Sequence, residues 1–190
     1  MYIALDSAES QLKSALRAIE GPDETMMEAL DALPAAIYIT DALGHVTHYN
    51  RACVALAGRT PRPGRDRWCV TWKLFTADGD YLPHDRCPLA LAIKQGREMR
   101  GVEAWAERPD GSRVRVQPFP TLLYNDDGSL AGAVNLLIDV TDRRRAEDLR
   151  AQAARCRRLS DSVLDRRTLD TLAAMVSEYE EEAGRLERLN

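Results

Sequence analysis

Apolar residues recur along this chain with two different periods, and the change of period divides it into parts. Over residues 3–20, Leu5, Leu12, Leu16 and Ile19 return at helical spacing, which predicts an amphipathic helix ended by Gly21-Pro22. A second short helix over 24–33 carries Met26, Met27, Leu30 and Leu33 and stops at Pro34. Ile37–Thr40 then reads as a strand and Val46–Tyr49 as its hairpin partner across Asp41-Ala42-Leu43-Gly44. Asn50 is placed to cap a helix over Arg51–Ala57, closed by Gly58. The proline-containing stretch Arg59–Arg67 predicts loop.

Trp68–Phe75 is apolar and aromatic, with a turn at Asp78-Gly79. Asp85 can cap a helix with Pro88 in its first turn, running to Gln95 and ending at Gly96. Three segments of strand character follow: Met99–Glu107, Ser112–Tyr124 and Leu130–Val140, joined by Gly-containing turns that make antiparallel hairpins of them. After Thr141 the period returns to helix. Residues 142–159 place 146, 149, 153 and 156 on one stripe, and residues 168–189 carry Leu169, Leu172, Val176, Tyr179, Ala183 and Leu186 at heptad a and d positions.

Composition adds limits. The chain has 190 residues, 45% hydrophobic and 29% charged, which is ordinary for a globular domain and unlike a disordered chain. Arginine outnumbers lysine 23 to 3, a bias of the kind GC-rich coding produces. The net charge of −4 argues against wholesale attraction to nucleic acid or anionic lipid. It conceals a local split: residues 142–158 hold seven arginines against three acids, whereas the last helix is acidic through Glu178, Glu180, Glu181, Glu182 and Glu187. Opposite charge on adjacent helices suits an antiparallel hairpin or an intermolecular bundle. No apolar run approaches membrane-span length, no secretory leader is evident, and Cys53, Cys69, Cys87 and Cys156 form no CxxC pair, so the chain reads as cytosolic and reduced. No metal site is expected, because His45 and His48 lie three apart in a strand and so point to opposite faces.

Three stretches in this order resemble the PAS family of sensory domains: LPAAIYITDALGHVTHYNRA (33–52), DGDYLPHDRCPLALAIKQG (78–96) and DDGSLAGAVNLLIDVTDRRRAED (126–148). The resemblance covers roughly residues 24–148. It implies an α+β PAS fold: a five-stranded antiparallel sheet with helices on one side, N-terminal cap helices and a C-terminal helical extension. The domains expected are an N-terminal amphipathic helix (1–22), a PAS domain (23–141) and C-terminal signalling or dimerisation helices (142–190). The resemblance also implies a ligand pocket between sheet and helices. Strand parity puts Asn135 and Leu137 on one face and Val134, Leu136 and Ile138 on the other. Similarity to flavin-binding relatives assigns the Leu137 face to the pocket, with Trp68, Trp72, Cys87 and Leu91 as walls from the helical side. Asp139 and Thr141, at the strand-to-helix junction, are the signal-relay candidates, with Thr141 able to cap the helix.

Cofactors follow from the same resemblance. The segment Gly64–Cys69 lacks the Asn and the Arg-Phe of the light-sensing cysteine motif, and Leu137 replaces its flavin-reading glutamine, so flavin is not expected. Haem would need an axial ligand, for which Cys87-Pro88 and the nearby His84 are the candidates. No bound cofactor is the leading expectation. No catalytic motif appears, and the absence of histidine after His84 excludes a phospho-accepting histidine kinase. The function expected is a non-enzymatic module acting through a homodimer or a protein partner, with Leu169, Leu172, Val176, Tyr179 and Leu186 as the contact stripe. The alternatives are a small-molecule or haem sensor and, less favoured, nucleic-acid association through Arg143–Arg158.

Overall fold

A computed structural model describes residues 10–16 and 23–188. Helix α1 is seen over residues 10–16, so most of the helix expected at 3–20 lies outside the described residues. The remaining elements are α2 (Asp23–Asp31), β1 (Ala36–Asp41), β2 (Val46–Tyr49), α3 (Arg51–Ala57), β3 (Lys73–Thr76), β4 (Tyr81–Leu82), a 3-10 turn (His84–Arg86), α4 (Pro88–Gln95), β5 (Ala104–Glu107), β6 (Arg113–Tyr124), β7 (Leu130–Asp139), α5 (Thr141–Ser160) and α6 (Arg166–Arg188). One compact unit ends at Asp139 and a second begins at Val140.

The first unit is built on one antiparallel sheet in the order β2-β1-β7-β6-β5-β3-β4. It has seven strands where five were expected. The additional pair is the β3–β4 hairpin around Asp78-Gly79, which joins the sheet through β3 on β5, Leu74 opposite Ala106. Strand β5 starts only at Ala104 instead of near Met99, since Gly101 has a φ of 74° that breaks extended backbone before it. Sequence-adjacent strands β6 and β7 pair from Val116 to Tyr124 along the whole of β7, and β7 also pairs with the distant β1.

Period-two alternation assigns the faces of the sheet. Ala36, Tyr38, Ala133 and Leu137 belong to the core that also holds Cys53 and Leu56 of α3 and Leu89 and Ala90 of α4. Ile37, Val134, Leu136 and Ile138 occupy the other face and are buried as well, so β1 and β7 read as almost unbroken apolar runs.

Asn50 joins three elements. Its Oδ1 accepts from the Ile37 amide at 2.9 Å and from the Cys53 amide at 3.3 Å, which caps α3. Its Nδ2 donates to the Leu30 carbonyl at 2.9 Å and to the Ala35 carbonyl at 2.8 Å. Gln11 of α1 adds a further anchor nearby, its Oε1 accepting from the Ala35 amide at 3.3 Å. Helix α3 ends at Gly58, whose φ of 61° is the left-handed conformation in which a side chain would be strained.

The second unit is a helical hairpin. Arg150 pairs with Glu187 and Arg157 with Glu180: seven residues forward along α5 is seven residues backward along α6, so the two helices run antiparallel. A third pair, Arg145 with Glu182, crosses the same seam. The opposite charges noted in the sequence therefore meet within one chain. These exposed pairs favour the direction of the hairpin more than they add strength. The apolar seam is small: Ala146, Ala183 and Leu186 are buried together with Leu149 against them, and Ala153 and Cys156 continue the buried stripe of α5.

Replacing Asn50 by alanine takes this partner from the Ile37 amide and the Ala35 carbonyl and removes the side-chain cap of α3, while the Leu30 carbonyl keeps the Leu33 amide. Unpaired buried groups cost ~1–3 kcal/mol each, so a loss on the order of 3 kcal/mol is expected in urea unfolding, whereas Thr47→Ala on a half-buried strand position changes it by about 0.5 kcal/mol.

Candidate functional site

The loop after α3 is held by a buried carboxylate. Asp66 is paired with Arg59, and it also accepts from the backbone amide of Arg62 at 2.9 Å. Arg59 in turn donates to the Val70 carbonyl at 3.1 Å. This ties down both ends of the proline-containing stretch and delivers Trp68 to the core.

Trp68 has a φ of 71°, the left-handed region that costs a bulky residue on the order of 1–3 kcal/mol. Two contacts hold it there. Its amide donates to the Gly44 carbonyl at 2.7 Å, and its ring lies against Gly44 so closely that a Cβ there would collide with ring carbons. The Arg67 guanidinium stacks 4.6 Å from the ring centroid and the Lys94 ammonium lies 5.2 Å from it. In this conformation the Trp68 carbonyl accepts from the Tyr38 hydroxyl at 3.0 Å and from the Cys87 thiol at 3.6 Å.

A buried polar chain results. Asn135 stands directly opposite Tyr38 on the paired strands and donates from Nδ2 to its hydroxyl at 2.9 Å. The Tyr38 hydroxyl passes its own hydrogen to Trp68. Asn135 is only 2% exposed, and its Oδ1 is buried with no hydrogen-bond partner. Turning the amide over does not resolve this, because two N–H donors would then need acceptors at the same place. Cys69, also buried, is within reach of the Thr71 hydroxyl at 3.2 Å.

Of the six pocket candidates, Trp68, Cys87, Asn135 and Leu137 are brought together around Tyr38. Two are not. Trp72 sits on the bend that enters β3 and is 51% exposed, while Leu74 takes the inward place. Leu91 is only half-buried and lies outside the core, since on α4 the inward face is formed by Leu89, Ala90 and Ile93, and Leu91 projects from the opposite side. Tyr38 was not foreseen, although its place between Ile37 and Ile39 on the Asn135 face was readable from strand parity.

Further differences concern helix ends. Cys87, not Asp85, caps α4: its Sγ accepts from the Ala90 amide at 3.5 Å, because the 3-10 turn places it immediately before Pro88. At the last junction α5 begins at Thr141 itself, and the N-cap position falls to Val140, which has no side-chain acceptor to offer. Asp139 is exposed at the end of β7.

The haem candidates have other roles in the fold. Burial pushes the Cys87 thiol up to about 12, with Cys69 beside it acting in the same direction, so the thiolate an iron would need is strongly disfavoured. Burial, followed by the nearby Arg59 charge, holds the His84 imidazole low, against the opposing effect of Asp66. The thiolate is thus disfavoured at Cys87, whereas the lowered pKa of His84 keeps its imidazole in the neutral form that ligates metals.

The same burial predicts a pH response. Cys87 and Cys53 ionise near 9.0 when unburied, while burial raises both in the folded chain, and Tyr38 is raised well above 10.0. The folded state thus holds these protons more tightly. Its stability is full below pH 9, and above that it falls toward pH 12 by roughly 1.4 kcal/mol per unit for each ionising thiol. Urea midpoints measured from pH 8 to 10 should decline, and in Cys87→Ser the decline should be shallower.

Known proteins now bear on the whole. Residues 30–145 match the model of the family described as the PAS fold. No curated protein matches the chain. Among solved structures, a PAS domain from Colwellia psychrerythraea is 19% identical, covering 62% of this chain and 96% of its own, with a TM-score of 0.46. The Rhodobacter sphaeroides LOV protein is 16% identical over 95% of this chain and 98% of its own (TM-score 0.47), and the PAS domain of the fruit-fly ELK potassium channel is 12% identical over 62% and 96% (TM-score 0.47). With the family match spanning more than half of its length, on an antiparallel sheet flanked by helices, this chain belongs to the PAS fold family of sensory domains.

Proposed function

We propose that the protein is a sensory and signalling module that works by self-association through α6, with the state of the PAS core transmitted to the helices through β7. The observation that carries this reading is the uneven burial of one stripe. Ala183 and Leu186 are buried in the hairpin seam, whereas Leu169, Leu172, Val176 and Tyr179, on the same a/d stripe, are only half-buried. A heptad stripe whose burial decreases toward the start of α6 suits a second helix there.

Transmission is supported by chain economy. A single residue, Val140, separates the end of β7 from the start of α5. Asp139 and Thr141 flank it, so a shift of β7 has no slack segment in which to dissipate before it reaches α5. Asn135 and Leu137, which face the core, lie on that same strand.

A second reading is favoured by the unpaired Asn135 oxygen. A small uncharged molecule with a hydrogen-bond donor would satisfy it beside Tyr38 and Trp68, and its arrival would be felt on β7. The two readings are compatible, the ligand being the signal and the helix contact the output. Native mass spectrometry of the protein from its own host separates them: added mass that is lost in Asn135→Leu supports the ligand, and a bare mass in both leaves self-association alone.

Light scattering of the full chain at micromolar concentration should report a dimer, and Leu172→Asp should reduce the dimer at least tenfold while leaving the far-ultraviolet spectrum unchanged. A wild-type monomer with no captured partner would defeat the proposal.

A further inference from the structure

We infer that the loop after α3 and the start of α4 form a docking surface for an acidic segment of another protein, with Arg65, Arg67 and Arg86 as its cations and Leu43 as its apolar contact. The surface belongs to the first unit and does not involve α6. Three observations point the same way.

The first is uncompensated charge. Elsewhere in this unit Arg51 pairs with Asp31, Arg100 with Glu98 and Arg113 with Glu107. Arg65, Arg67 and Arg86 are exposed and enter no ion pair among the described residues. The carboxylates near them are already engaged. Asp66 is buried on Arg59 and Arg62, and Asp85 lies 3.8 Å from Lys94. Asp41 is bound by the amides of Leu43 and His45 in its own turn. Like charges gathered without counter-charge repel one another, and an anion from outside relieves that repulsion.

The second is that these cations stand together on fixed backbone. Arg67 and Lys94 both pack on the Trp68 ring, which joins the loop to α4 at one place. Arg86 lies on the 3-10 turn beside Asp85, whose carbonyl accepts from Lys94 Nζ. The loop itself is laid along β2: the Gly64 amide donates to the Val46 carbonyl at 2.8 Å, and the Val46 amide donates to the Asp66 carbonyl at 2.9 Å. Pro61 and Pro63 fix two φ angles between these ties. Little backbone freedom remains to be lost when a partner arrives.

The third is an apolar residue beside the charges. Leu43 is 61% exposed, and its carbonyl accepts from Arg67 Nε at 2.7 Å, which makes the two residues neighbours. A segment of carboxylates around one apolar side chain matches both features, since guanidinium groups bind carboxylates through paired N–H donors. Single-stranded nucleic acid matches them less well, because its bases need aromatic faces to stack on. Trp68 is 8% exposed, and its ring is already occupied by Gly44, Arg67 and Lys94. The net charge of −4 opposes a long polyanion further.

Fluorescence anisotropy with the full chain tests the surface. The probes are a labelled peptide of glutamates around a central leucine, the same peptide with glutamine for glutamate, and a single-stranded DNA oligonucleotide of equal charge. The glutamate peptide should bind and should weaken as salt is raised, while the glutamine peptide should not bind. Arg65→Glu/Arg86→Glu should weaken the glutamate peptide by roughly tenfold or more and leave the far-ultraviolet spectrum unchanged, because neither side chain has an internal ion-pair partner. Arg65→Gln and Arg86→Gln, which only remove charge, should each give part of that loss. Arg155→Glu/Arg158→Glu makes the same charge change on exposed positions of α5 and should leave binding unaltered. An equal loss in both charge-reversed variants would reduce the effect to net charge and overturn the proposal. So would tighter binding of the oligonucleotide than of the glutamate peptide, or no binding of the peptide at low salt. A dimer by light scattering that is lost in Arg65→Glu/Arg86→Glu would assign the surface to a second copy of this chain instead.

Discussion

The side-chain amide of Asn50 has no surface exposed and makes hydrogen bonds to the amides of Ile37 and Cys53 and to the carbonyls of Leu30 and Ala35. Each of those backbone groups sits at an element end: the close of α2, the entry to β1 and the first turn of α3. Element ends are where backbone groups run out of regular partners, and burying them unpaired is costly. One amide answers that need for three elements at once, which fixes how α2 and α3 stand against the strand that carries Tyr38. Asn135 is the counterpart. It is nearly as buried, yet only one end of its amide is engaged. A fold that satisfies Asn50 in full and leaves Asn135 half-satisfied, next to a tryptophan in left-handed backbone, concentrates its unmet hydrogen bonding in one place.

Much of this arrangement was legible in the sequence because the signals were local. Asn50 before an apolar helix, Gly58 and Gly96 after one, and the Gly-containing turns between strands each state their role within a few residues. Strand parity on β7 correctly separated Asn135 and Leu137 from Val134, Leu136 and Ile138. What failed depended on distant contacts. Trp72 and Trp68 look alike as aromatic residues, and only the loop held by Asp66 decides that one is turned inward and the other outward. Leu91 belongs to an apolar run on a helix too short for its facing side to be evident. Two-residue β4 is below the length at which alternation can be seen. Cys87 took the cap expected of Asp85 because a 3-10 turn intervened, a feature without a strong sequence signal.

The C-terminal helices show the same division. Heptad spacing and opposite charge were visible in the sequence, and both a hairpin and a bundle between chains satisfied them. The hairpin accounts for Arg145, Arg150 and Arg157, for their glutamate partners and for the buried end of the stripe. It covers Leu169 and Leu172, near the start of α6, only in part.

The most direct measurement is hydrogen exchange of the α6 backbone amides as a function of protein concentration. Self-association through the partly covered stripe predicts that amides in residues 166–180 exchange more slowly as concentration rises, while those of β6 and β7 stay unchanged. Exchange in 166–180 that is the same at every concentration, from well below to well above micromolar, would contradict the account.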